Sequence, residues 1–141
     1  MFQPDTLVVV ADGAAARFLL AEVDLADLRE VRKLTNHHHA GQHRHHGGSG
    51  HDSAHHHEES KFAQEIAHSI AEAMRGGDLR DLVLVAPPHM LGDLRSALSH
   101  EDGRKLRASV PRDLMGEDAR HLSAHLVKLL SSANLESAHK A

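Results

Sequence analysis

The stretch TNHHHAGQHRHHGGSGHDSAHHHEES, residues 35–60, carries ten of the sixteen histidines in the chain. They are His37, His38, His39, His43, His45, His46, His51, His55, His56 and His57. A neutral imidazole nitrogen is a good ligand for zinc, nickel, copper or cobalt, and three or four of them suffice for a site. The run therefore has the capacity to take divalent metal. Gathering ligands from an irregular segment costs roughly 1–2 kcal/mol per residue ordered, and Gly41, Gly47, Gly48 and Gly50 add to that cost. Two readings stay open: a defined site for zinc, nickel or copper, and a solvated run that binds metal loosely.

The same run is a charge reservoir. Between His37 and His57 only Arg44 and Asp52 carry fixed charge. Histidine titrates near pH ~6.5, so protonating all sixteen would take the formal net charge from −4 to +12.

Other candidate sites are weaker. His121 and His125 are spaced i, i+4, which puts two rings on one helical face and can chelate a metal. No Glu follows His121, so the zinc-protease pattern is absent, and two surface histidines beside a leucine stripe is the simpler reading. Asp12 could serve as a metal-binding carboxylate, but Asp12-Gly13 reads as a hairpin turn in which Gly supplies positive φ. Arg17, Arg95, Arg104, Lys105, Arg107 and Arg112 could contact RNA phosphates. They alternate with Asp93, Glu101, Asp102 and Asp113, as an ordinary solvated surface would. No Ser-His-Asp elbow, phosphate loop or carboxylate pair stands out. Without cysteine, disulfides, thiolate metal sites and thiol catalysis are excluded. Catalysis is not expected.

The elements that must hold these residues follow from hydrophobic patterning. With three Phe and no Tyr or Trp, the core has to be aliphatic, and base-stacking platforms are disfavoured. TLVVVA (6–11) predicts a buried strand, AAARFLLAEV (14–23) its hairpin partner after the Asp-Gly turn, and LREVRKLT (28–35) a third strand. Residues 36–57 lack apolar periodicity and predict a long polar loop, a length that usually means function or disorder. From Glu58 the period becomes helical, with Phe62, Ile66, Ile70 and Met74 on one stripe beside Ala63, Ala67 and Ala73. Gly76-Gly77 is the stop. DLVLVAPP (81–88) predicts a strand, residues 90–103 a short helix, LRASVP (106–111) a fifth strand and residues 113–132 a last helix facing inward through Leu122, Leu126, Leu129 and Leu130. A fraying polar tail, 133–141, follows. The order β-β-β-α-β-α-β-α predicts one α/β domain over 1–132 with a mixed five-stranded sheet and helices on its faces. No apolar run approaches the ~18 residues that span a bilayer, and no signal-peptide pattern opens the chain. A cytoplasmic protein is expected.

TLVVVADGAAARFLLAEV, KFAQEIAHSIAEAM and LRDLVLVAPPHMLGDLRSAL together resemble the bacterial host-attachment proteins. These are small relatives of the middle domain of archaeal and eukaryotic peptide-chain release factors. ASVPRDL followed by a helix is similar as well, so the resemblance covers nearly the whole chain outside the loop and the tail. It implies a ribonuclease-H-like, release-factor-middle-domain-like fold. It also implies a loop before the first long helix that, in such domains, carries Gly-Gly-Gln into the ribosome. Here Gly47, Gly48 and Ser49 stand in that place, within a loop insertion at 36–58, with Arg44 close by in sequence. Ser49 replaces the glutamine, so peptidyl-tRNA hydrolysis is not expected. The resemblance implies instead a non-catalytic, translation-associated domain whose loop (Arg44, Gly47, Gly48, Ser49) meets ribosomal or transfer RNA. The alternative is a divalent-metal-binding or metal-buffering protein using the ten histidines.

Overall fold

β1 (Thr6–Ala11) is buried at every position, which is why its sequence is apolar without alternation: both of its faces are covered. The computed structural model describes residues 1–37 and 51–140, with backbone alone for 51–57 and 132–140. β1 pairs antiparallel with β2 (Ala15–Ala21) and parallel with β4 (Asp81–Ala86). β3 (Arg29–Thr35) and β5 (Leu106–Pro111) form the two edges, giving the order β3-β2-β1-β4-β5. This is the expected single α/β domain with a mixed five-stranded sheet.

Alternate residues of the central strands feed two cores. Leu7, Val9, Leu82, Leu84 and Phe18 pack beneath α1 (His51–Met74) and α2 (Pro88–Ala97), against Phe62, Ile66, Ile70, Met74, Met90 and Leu94. Val8, Val10, Leu19, Val83 and Val85 face the other way, onto Leu122 and Leu126 of α4 (Ala119–Lys140). Leu129 and Leu130 pack against that second core as expected. Ala73, expected beside the α1 stripe, is exposed, and Ser69 is buried instead.

Three boundaries depart from the sequence reading. α1 begins at His51, so 51–58, assigned above to the loop, continue the helix backbone. The helix expected over 90–103 is two, α2 and the short α3 (His100–Arg104), because Leu98 and Ser99 are extended and the Ser99 side chain accepts from the Asp102 N–H to start afresh. α4 starts at Ala119 rather than 113 and runs past Ser131 to Lys140. The Gly76-Gly77 stop is as expected, with Gly77 at φ 85° after α1.

Leu25, in the β2–β3 connection, is a non-glycine residue at φ 60°, a conformation costing of order 1 kcal/mol. It is held there by near-complete burial and by the buried Ser123 hydroxyl, which donates to the Leu25 carbonyl at 2.6 Å. Ser123→Ala strands that carbonyl and should lower stability by about 1–3 kcal/mol, read as a shifted urea midpoint in far-UV circular dichroism.

Candidate functional site

The parallel strands β1 and β4 end side by side, and at that rim β1 turns into β2. Asp12 N–H donates to the Ala15 carbonyl at 3.0 Å, and Asp12 Oδ1 accepts from the N–H groups of Ala14 and Ala15 at 2.8 and 2.9 Å. Asp12 Oδ1 is thus engaged in its own turn, in keeping with the turn reading. Gly13 is a different matter: it does not adopt the positive φ that the Asp-Gly pairing suggested. What glycine provides is space, because a Cβ there would lie 2.7 Å from Oε2 of Glu59 on α1 and the end of that side chain would have to shift.

The ends of the histidine-rich run meet at this turn. β3 pairs Thr35 with Ala15, and the next residue, Asn36, is 2% exposed. Its N–H donates to the Ala14 carbonyl at 2.8 Å and its side-chain amide to the Gly13 carbonyl at 2.9 Å. On the other side of the run, Glu59 rests against Gly13. One turn therefore hydrogen-bonds the first flank of the segment and lies beside the second. His37 follows Asn36 and is exposed, while His51, His55, His56 and His57 lie on the first turns of the α1 backbone. His38, His39, His43, His45 and His46, and the expected RNA-contacting Arg44, Gly47, Gly48 and Ser49, lie outside the described residues.

The other sequence candidates resolve into local structure. His121 Nδ1 sits 2.8 Å from Asp118 Oδ1, and His125 Nε2 sits 2.9 Å from Glu117 Oε1. Each ring has its own carboxylate, and among the described residues no third metal-type donor gathers beside them. Asp118 caps α4, accepting the His121 N–H at 2.9 Å. That backbone hydrogen bond first, and the His121 ring second, hold the Asp118 carboxyl below its usual 3.8. A depressed carboxyl stabilises the fold above its unfolded pKa and loses that contribution as the pH falls through the folded value. His121→Ala should therefore raise the Asp118 midpoint part of the way back, and a carboxyl-carbon NMR titration would record it. Arg17 is engaged within the fold. Its Nε meets Glu30 at 2.7 Å and its Nη1 donates to the carbonyls of Met115 and Glu117 at 3.2 and 2.6 Å, tying β2 to the connection before α4. Arg107 donates to the Val23 carbonyl at 2.9 Å, and Arg95, Arg104 and Arg112 are exposed.

One grouping escapes the sequence reading. Glu59 of α1 and His89 and Asp93 of α2 bring a donor atom each to within 4.8 Å of one another at the same rim. The i, i+4 spacing of His89 and Asp93 is a signal, but starting the helix at Met90 leaves His89 outside it. Glu59 reads in sequence as helix N-terminal charge and no more.

Against solved structures the chain matches at low identity. An archaeal protein aligns with 11% identity over 96% of this chain and 40% of its own, at a TM-score of 0.52. The crystal structure of the archaeal translation termination factor aRF1 gives 11% identity, 96% and 41% coverage, and a TM-score of 0.49. Dom34 of S. cerevisiae, a translation termination-like factor involved in RNA quality control, gives 10%, 96% and 39%, and 0.45. The chain thus spans about two fifths of the length of these proteins, and the likeness is one of fold. No curated protein matches the sequence. A family model described as "Protein required for attachment to host cells" matches residues 7–126, nearly the whole of the sheet and its helices, and the chain belongs to that host-attachment family.

Proposed function

We propose that this chain is a non-catalytic binding domain associated with translation, and that its histidine-rich segment, 36–58, is the part that touches ribosomal or transfer RNA. The observation that carries the reading is the meeting of both flanks at the Gly13 turn: Asn36 hydrogen-bonds to it and Glu59 lies beside it. A rigid sheet rim that meets both flanks of a polar segment suits a scaffold presenting a working loop. In the release-factor middle domains that the sequence resembles, a ribosome-entering loop precedes the first long helix, which supports this reading of the segment. Arg44 and protonated imidazoles supply the charge that phosphates attract. Ribosome co-sedimentation of the native chain, and of one with the ten run histidines changed to Ser, tests it. Salt-sensitive association that the Ser chain loses supports the reading, and association retained in full by the Ser chain rejects it.

A second reading, divalent-metal binding by the same histidines, draws on the reach of α1. His51 and His55 stand one turn apart on its backbone, which lowers the ordering cost set against an irregular loop. Calorimetry with zinc or nickel distinguishes a fixed stoichiometry from loose, unsaturable uptake. No helix among the described residues is long and apolar enough to cross a membrane, so neither reading involves a spanning segment.

A further inference from the structure

We infer that Glu59, His89 and Asp93 form a divalent-metal site of one imidazole and two carboxylates, distinct from the histidine run. Their donor atoms lie within 4.8 Å of one another. Bonds of about 2.0–2.2 Å at tetrahedral angles hold ligand atoms about 3.3–3.6 Å apart, so side-chain shifts of under about 1 Å each bring all three onto one ion.

Two further features point to a cation. Asp93 Oδ2 is sealed from solvent and accepts no hydrogen bond, a state that a carboxylate oxygen rarely keeps without a positive partner. No Lys or Arg pairs with Glu59 or Asp93 among the described residues. The second feature is Gly13, whose missing Cβ leaves room for Glu59 Oε2, since a Cβ there would stand 2.7 Å away. Asp12 Oδ1, on the same turn, is already committed to the N–H groups of Ala14 and Ala15. The place also suits a ligand. From the carboxyl ends of the neighbouring parallel strands β1 and β4 the chain leaves in opposite directions, to β2 on one side and β5 on the other, the kind of switch point at which open α/β sheets bind.

The donor set defines the ion class. Two carboxylates and one imidazole, with no thiolate in the chain, suit a first-row divalent ion such as Mn2+, Fe2+, Co2+ or Zn2+. Three protein ligands leave positions for water or another ligand.

Co2+ titration of the full chain with the ten run histidines changed to Ser tests the site free of the run's own binding. One Co2+ per chain, with d–d bands in the visible spectrum, is expected. Affinity should fall at least about tenfold in Asp93→Asn and in Glu59→Gln. Gly13→Ala should weaken binding while leaving the metal-free melt unchanged, because the Cβ meets only the flexible end of Glu59. Metal-free Asp93→Asn should melt no lower than its parent, since it removes an orphaned charge. No Co2+ bound by the Ser chain, or equal binding by Asp93→Asn, overturns the proposal. Should the Ser chain not fold, the native chain and its Asp93→Asn variant are compared: a difference of one Co2+ equivalent supports the site and equal stoichiometry refutes it.

Discussion

Ribosome association should tighten at least about tenfold as the pH falls from about 7.5 to about 5.5, across the range in which histidine charges. The run from His37 to His57 holds ten imidazoles and two fixed charges that cancel. Over that interval it passes from nearly neutral to roughly nine positive charges. Each phosphate contacted adds about 0.7 to the slope of log affinity against log salt for single strands, so the salt dependence should steepen at the lower pH. Six other histidines charge as well. The chain with the ten run histidines changed to Ser keeps those six, and the difference between the two chains reports the run alone. Co-sedimentation at two pH values and two salt concentrations measures all of it. Binding that ignores pH would move the contact onto the folded surface and away from this segment.

The strands were legible because burial writes itself into composition. TLVVVA and DLVLVA are unbroken apolar runs because β1 and β4 have core on both faces. β3 shows weak alternation for the opposite reason: it is an edge, exposed along most of its length and studded with Arg29, Arg32 and Lys33, charges that discourage further pairing. The first turns of α1 could not be read from periodicity, since HDSAHHH presents no apolar stripe. A helix backbone needs only its own hydrogen bonds to continue, and Asp52 sits where the helix dipole favours an acid. The break between α2 and α3 was written in the sequence as Ser99 followed three residues on by Asp102, a capping spacing. It was masked by the leucines on either side.

The candidate site divides the same way. The histidine run is visible at once because its signal is local. The Glu59–His89–Asp93 group is not, because it joins residues thirty apart across two helices, and only the parallel pairing of β1 with β4 brings them to one rim. Gly13 illustrates how a correct residue can carry a mistaken reason. Sequence chemistry assigns it to backbone freedom, whereas in the structure its missing Cβ makes room for the Glu59 side chain, 46 residues on in sequence but adjacent in space.

Phe62→Ala should be the most destabilising single change to the rim, at about 3–5 kcal/mol for loss of a buried Phe side chain. Phe62 is fully buried between α1 and the sheet. Phe18 shares this core but is held on β2, and side chains fixed on rigid strands collapse into the space poorly. A loss of that size is a large part of the 5–15 kcal/mol that typical domains possess. Phe62→Leu keeps much of the volume and should cost less than about 1.5 kcal/mol. Far-UV circular dichroism during urea unfolding is the appropriate probe, since no indole or phenol is present to fluoresce. Glu59 precedes Phe62 by one helical turn, so loosening α1 should release the contact at Gly13 together with the core. Co2+ affinity should then fall in Phe62→Ala along with stability, whereas Gly13→Ala should lower affinity alone. If Phe62→Ala lost stability yet held Co2+ as tightly as its parent, the rim would be anchored by something other than the packing of α1.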